Sequence, residues 1–422
     1  MMEQIKMADG VHLQVEKTEQ FTTTQISINF ATPKVNADLA GRFLASNFLE
    51  TVSKKYPTQQ KFAQVLNELY GAGFSVEVSN MGGVHNFCIN LEIVDPKLLN
   101  SSEDLLTAAF SFLETILFEP LGNEIEGFEP TIFQRQKEIA LDEIAGLNDD
   151  REYQIIRTTI ENSFVNGNLG LAAYGNQELV EQSTNLSVWR TYQKLLVADQ
   201  IDVVVVGPVD VSQIKQLMHQ YLPFQARTIQ LPVKQQPGFQ PPKIQYLNEP
   251  VLQAQIVLSW QLTLDWSERF SGYVLNALLG GNGLSRLFLH VREEAGLAYT
   301  IYSDFNFYTD LMFVVAGVRV DQVNAARKMI LDEVHDLQDN QITEAELKQI
   351  KQLMLNDYRL GQDQIRTRTE RGLSRAITKK VLTPIEWQAC LEKVTKKDVQ
   401  AVAQRLQLKI QMILQRREDK NE

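Results

Sequence analysis

Asn47, Glu50 and Thr51 stand at i, i+3 and i+4 in the run S-N-F-L-E-T-V-S-K-K-Y-P, so they share one face of any helix that carries them. Helical zinc sites that activate water use this spacing, with imidazoles at the two outer positions and a carboxylate between them as base. Here the outer positions hold an amide and a hydroxyl. Neither is a usual zinc donor, and two in one site leave little affinity for the ion. Glu50 keeps the base position, where the plain alternative is a solvated carboxylate. The 5 histidines, His12, His85, His219, His290 and His335, include no pair at i, i+3 or i+4. A metal site built from them would need distant positions, and each reads more simply as a surface or core residue. Cys88, in an apolar strand, and Cys390, following Trp387 on a helix, read as packing groups. No G-x-S-x-G elbow and no Walker loop occur. L-L-G-G-N-G follows a helical pattern, whereas a dinucleotide fingerprint follows a strand.

The helix expected to carry the triplet runs from Asn36 to Lys55, and it belongs to a chain that repeats itself. L-Y-G-A-G-F-S-V-E-V-S from Leu69 lies over E-A-G-L-A-Y-T-I-Y-S from Glu294, placing Gly71 on Gly296 and Phe74 on Tyr299 at an offset of 225. Each segment reads as a helix end, a glycine and a strand. A second strand follows each, from Asn86 and from Leu311, then an amphipathic helix, Leu98 to Leu117 and Gln322 to Leu337. Long helices open at Pro130 and at Thr343, the latter resembling a capping box with Glu346. The helix after Thr184 parallels the helix after Thr395, and each precedes a strand. Between the halves, residues 230–243 hold 4 prolines and 1 glycine, which disfavours helix and central strand. The expected organisation is a first half over 1–229, a linker over 230–243 and a second half over 244–422. Its fold class is α+β, each half an antiparallel-rich sheet with helices on one side.

Composition narrows the functions. With 41 basic and 52 acidic side chains the net charge is −11, which repels phosphate backbones and makes nucleic acid an unexpected ligand. The apolar runs, such as Ile201 to Pro208, fall short of the roughly 20 residues of a membrane helix, so no membrane partner is expected. The opening M-M-E-Q-I-K-M-A-D-G lacks the apolar core of a secretory signal, and 2 cysteines build no disulfide framework. The expected compartment is the cytoplasm. A run of Arg366, Arg368, Arg371, Arg375, Lys379 and Lys380 gives a basic helix, read as a solvated face in preference to a docking site.

N-F-L-E-T resembles the H-F-L-E-H segment of the insulinase (pitrilysin) type of zinc peptidases, the H-x-x-E-H inverzincins. Two further segments carry the resemblance. Q-K-E-I-A-L-D-E, Gln136 to Glu143, is similar to the family's E-R-x-V-V-L-x-E, and R-E-E-A-G-L-A-Y matches its R-x-x-x-G-L-A-Y intact. L-G-G-N-G-L-S-R-L-F also resembles the family's glycine-rich segment. The resemblance spans essentially the whole chain and implies a duplicated, clamshell-forming architecture. It implies that Glu143 occupies the third zinc-ligand position, that Gln136 replaces an accessory glutamate, and that Arg292 and Tyr299 hold substrate. Because both histidine positions are Asn47 and Thr51, it places the chain on the inactive-homologue branch, with no zinc cofactor. Bacterial processing-peptidase-like proteins fall here, some associated with elongation factor P modification. The implied partners are an active relative with an intact H-x-x-E-H, or a second copy of the chain, together with a peptide. The competing readings are a zinc peptidase with atypical ligands and a peptide-binding scaffold that acts alone.

Overall fold

The computed structural model describes residues 2–99, 104–167, 169–235, 237–339, 341–380 and 382–416. The first half supplies β1 (Glu3–Ala8), β2 (Val11–Lys17), β3 (Thr23–Pro33), α1 (Asn36–Leu49), α2 (Gln59–Glu68), β4 (Gly73–Met81), β5 (Val84–Val94) and α3 (Leu105–Phe118). A two-stranded ladder, β6 (Gly122–Asn123) with β7 (Gly127–Phe128), leads to α4 (Pro130–Asp149). Then follow α5 (Arg151–Ser163), α6 (Gln177–Gln182), α7 (Asn185–Ala198), β8 (Gln200–Gly207) and α8 (Val211–Tyr221). The second half supplies β9 (Lys243–Asn248), β10 (Ala254–Gln261), α9 (Arg269–Leu279), a π-helical segment over Leu287–Glu294, β11 (Ala298–Asn306) and β12 (Leu311–Val318). It closes with α10 (Val323–Gln338), α11 (Glu344–Gln362), α12 (Ile365–Thr378), α13 (Pro384–Lys393), α14 (Lys396–Ala403) and β13 (Gln407–Gln415).

The two sheets share one wiring. The first runs β1-β2-β8-β3-β5-β4 and the second β11-β12-β10-β13-β9. In each, one parallel pair, β2 with β8 or β9 with β13, is followed by antiparallel pairs only. The fold is thus α+β with two halves of like topology, as the sequence predicts. The repeat extends to detail. Gly71 and Gly296 both take positive φ, +75° and +60°, and both lead into an edge strand, β4 or β11. A Cβ at either glycine would meet nothing within 4 Å, so backbone conformation and not crowding asks for glycine. Thr184 and Thr395 cap α7 and α14 through boxes with Ser187 and Asp398. A second device recurs that sequence reading overlooked. Lys137 on α4 donates to the carbonyls of Glu181 and Ser183, and Lys351 on α11 donates to those of Glu392 and Val394, each just before the capped helix.

Helix boundaries shift where local chemistry intervenes. The helix expected over 98–117 is α3, beginning at Leu105 behind its N-cap Asp104, and residues 100–103 lie outside the described residues. Thr343 accepts from the Glu346 amide at 3.1 Å while the Glu346 carboxylate receives the Thr343 N–H at 3.3 Å, which completes the expected capping box.

Compactness divides the chain into two units, and each contains a helix from the opposite half of the sequence. Unit 1 comprises 1–145, 172–233 and 360–381; unit 2 comprises 146–171, 234–359 and 382–422. Each half's own helices cover one face of its sheet, and the exchanged helix covers the other. In unit 2, Ile155 of α5 and Phe164 beyond it pack on Val257, Phe313, Val315, Met412 and Leu414. In unit 1 the corresponding face is largely polar, with a small apolar patch where Ala31 and Val84 meet Ile377 of α12. Asn29 donates to the Ser27 hydroxyl and the Asp202 carbonyl, Asn86 to Asn29, and His12 and Gln200 flank the Asp202 carboxylate at 2.9 and 2.7 Å. Helix α12 lies on that face. Gln14 donates to the Gly372 carbonyl at 3.0 Å, and a Cβ at Gly372 would stand 2.6 Å from Val204 Cγ1. Two residues of the basic run clamp α12 within the unit, while Lys379 and Lys380 are exposed. Arg366 bridges Glu77 on β4, while Arg368 bonds Glu16 on β2 at 3.0 Å and covers the Phe21 ring. Among the described residues no helix is long and apolar enough to cross a membrane.

Candidate functional site

Helix α1 stops at Leu49, six residues before the Lys55 end expected from sequence. The reason is local. The Thr51 amide and hydroxyl both donate to the Phe48 carbonyl, at 3.1 and 2.8 Å, tightening the last turn, and the chain then turns at Ser53 and Tyr56. Asn47 lies in the last helical turn, Glu50 is the C-cap and Thr51 lies beyond it. The three residues of the motif therefore do not share one continuous helix.

Glu50 points into a cavity of about 270 Å³ whose apolar wall is Phe62, Ala63, Leu66 and Phe74, with Thr51 at its edge. Although much of the Glu50 residue faces solvent, loss of water around its carboxyl raises the pKa above the ordinary glutamate value. The Val76 N–H opposes that shift, and the nearby Glu77 and Glu143 charges add to it. Glu143, exposed on α4, lies within electrostatic reach of Glu50. Gln136 lies two turns earlier on α4 and is buried. Glu77 is the member of this site that sequence reading missed. Its signal was the period-2 polar series Ser75, Glu77, Ser79, which puts it on the polar face of β4.

These residues do not fit zinc. Asn47 offers a neutral amide, and the Thr51 hydroxyl is engaged with the Phe48 carbonyl. Two carboxylates without an imidazole or thiolate lack the donors that structural and hydrolytic zinc sites use. Among the described residues no three His, Cys, Asp or Glu side chains are grouped to hold a metal ion. Restoring both histidines tests this directly. Asn47→His with Thr51→His is expected to show a zinc-induced thermal shift that a chelator reverses, while wild type shows none. Peptidase activity is not expected to follow, because the helix ends before residue 51 and Gln136 replaces the accessory carboxylate. A chelator-sensitive shift in wild type would overturn this reading.

Arg292 and Tyr299 lie on unit 2, on either side of Gly296. Arg292 is in the π-helical segment, where its guanidinium covers the Phe288 ring at 4.8 Å and meets Glu293 at 3.5 Å. Tyr299 is the second residue of edge strand β11 and is 59% exposed. It sits at a bulge, since Ala298 pairs with Val318 and Thr300 with Gly317. Neither side chain contributes to a core. Arg286 of the glycine-rich segment is structural instead, holding both oxygens of the capping-box residue Glu346 and donating to the Gln341 carbonyl.

Residues 184–354 match the family described as the peptidase M16 inactive domain. The probable inactive metalloprotease YmfF of Bacillus subtilis is 26% identical over 408 residues, covering 94% of each chain. Over residues 184–354 the chain is thus similar to the M16 peptidases. The uncharacterized zinc protease YmxG of the same organism is 24% identical over 248 residues, 58% of this chain and 60% of that one. The crystal structure of a conserved protein from Enterococcus faecalis V583 superposes with a TM-score of 0.91 at 29% identity, over 100% of both chains. The chain is similar to the inactive side of the M16 group, in keeping with the loss of both imidazole positions at Asn47 and Thr51.

Proposed function

We propose that the chain is a zinc-free, non-catalytic M16 homologue that binds extended peptide and pairs with an active M16 peptidase in the cytoplasm. One observation carries the reading. The metal-ligand positions are chemically spent, yet Arg292 and Tyr299 stand exposed beside a free sheet edge. An edge strand offers unpaired main-chain groups to an extended peptide, giving affinity with little demand on sequence. An arginine adds a fixed fork of donors and a tyrosine a single hydroxyl, both suited to peptide carbonyls or a carboxylate.

The pairing is tested by co-expression and pull-down with a relative that carries H-x-x-E-H; no complex at micromolar concentration counts against it. The peptide contact is tested by Arg292→Ala with Tyr299→Phe. Both sites are exposed, so unfolding free energy is expected to stay within about 1 kcal/mol of wild type. Peptide affinity, or the partner's cleavage rate, is expected to fall at least about tenfold, roughly 1.4 kcal/mol. An unfolded double variant, or one that binds and supports cleavage like wild type, makes the pair structural. Peptide binding of wild-type strength without any partner would favour the scaffold reading instead.

A further inference from the structure

The two sheets differ at one edge, and the repeat shows what is missing there. In the first sheet, β2 is covered on its outer side by β1, which pairs with it antiparallel, and α8 packs on its apolar face. Val11 and Leu13, beside Ile201 and Val203 of β8, are consequently 1% and 0% exposed. The counterpart of β2 in the second sheet is β9, parallel to β13 as β2 is to β8. Among the described residues β9 has no outer neighbour, and α5 packs on the face of Gln245 and Leu247, opposite Ile244 and Tyr246. Its apolar residues Ile244 and Tyr246, beside Gln411 and Ile413 of β13, are 45% and 52% exposed. Edge strands are ordinarily blunted by a central charge or proline. This one carries neither between Ile244 and Asn248, and its prolines stand outside the strand, at 241, 242 and 250.

We infer that β9 pairs antiparallel with β9 of a second copy of this chain, about a two-fold axis through Gln245. The sequence K-I-Q-Y-L-N is self-complementary in that register. Residues opposite each other share a face, so Ile244 of one copy meets Tyr246 of the other, twice, on the apolar side. On the other side, which α5 covers, Gln245 accepts from Asn162 at 3.2 Å and meets its own copy at the edge, and Lys243 meets Leu247. Pro242 has no N–H to donate, which ends the ladder after Lys243, and the two-fold symmetry of the contact makes the pairing closed, not fibre-forming. The peptide-binding proposal concerns β11, the opposite edge of the same sheet, so the two stand or fall separately.

Sedimentation of the full chain over a concentration series tests the pairing. Wild type is expected to dimerise, and Ile244→Lys with Tyr246→Lys to raise the dimer dissociation constant at least about tenfold with an unchanged thermal midpoint. Register is tested in a Cys390→Ser background. Gln245→Cys faces itself at a distance a disulfide spans and is expected to cross-link on mild oxidation. Ile244→Cys and Tyr246→Cys are each expected to fail alone and to cross-link when mixed. A monomeric wild type with no cross-link at 245, or equal cross-linking by all three single variants, overturns the inference. So does a dimer indifferent to the two lysines, or one abolished by deleting residues 417–422. A cross-link at 245 that needs an added M16 partner overturns it too, since the occupant is then not a second copy.

Discussion

Arg42→Met is expected to destabilise unit 1 by about 3–5 kcal/mol, the usual result of stranding one charge of a buried pair. The Arg42 guanidinium is 3% exposed and donates once from each of its three nitrogens. It donates to Asp199 Oδ2 at 2.5 Å, to the Phe30 carbonyl at 2.7 Å and to His85 Nδ1 at 2.8 Å. These contacts tie α1 to β3, to β5 and to the turn between α7 and β8. Burial already pushes the Asp199 carboxyl above the ordinary aspartate range, against the pull of Arg42. Without the arginine, protonation is the remaining way to relieve that carboxylate. Urea unfolding at neutral pH should show the loss, with a fall in melting temperature on the order of 10 °C. Arg42→Met combined with Asp199→Leu should recover part of it, because no lone charge then remains. A single-variant loss below about 1 kcal/mol would mean that water reaches this network.

The second large effect is acid sensitivity through His85. Because Arg42 Nε–H donates to Nδ1, the ring proton sits on Nε2, which donates to the Ala173 carbonyl at 2.9 Å. Burial, then the Arg42 and Lys34 charges, depress the His85 pKa from 6.5 to about 3. The unfolded chain takes up a proton near pH 6.5 that the native ring refuses until about pH 3. Stability from this group is therefore complete above the unfolded pKa and is lost progressively as the pH falls toward the folded one, by up to about 1.4 kcal/mol per pH unit. Asp199 acts in the opposite sense: with its folded pKa raised, the native state gains on protonation in acid. Comparison with His85→Gln, which can still accept from Arg42 and donate to Ala173, isolates the histidine. Urea midpoints measured from pH 7 to pH 4 should fall more steeply for wild type than for the variant. Parallel curves would show that His85 titrates normally.

Much of this architecture was legible in the sequence, for identifiable reasons. Gly71, Gly296, Thr184 and Thr395 announce helix ends and starts through backbone chemistry that acts within a few residues. The Asn47, Glu50, Thr51 triplet was legible as a site lacking zinc donors because ligand chemistry is a property of residue type. The end of α1 was not, because Thr51 bonding back to Phe48 competes with helix continuation by a margin that composition does not set. Nor was the destination of α5 and α12. Amphipathic spacing tells which face of a helix is buried and is silent about which sheet buries it. The arginines of α12 looked like a solvated face because their partners, Glu77 and Glu16, lie some 290 to 350 positions away. From sequence His85 is an ordinary core or surface histidine, and burial with both ring nitrogens bonded makes it the former.

The exchange of α5 and α12 dictates an order of events during synthesis. Unit 1 cannot complete its polar face until residues 365–378 have left the ribosome, although its sheet and helical core are encoded before residue 222. Until α12 arrives that face has no cover, and most of what it presents, Asn29, Asn86, Asp202 and Gln14, is polar and loses nothing in water. A bare apolar face there would have exposed the nascent sheet to aggregation for some 150 residues of translation. The matching face of unit 2 is apolar, and the helix that covers it, α5, is made before any strand of that sheet. The asymmetry between the two sheet faces therefore follows the direction of synthesis. The face covered late is wettable, and the face that cannot tolerate water has its cover waiting.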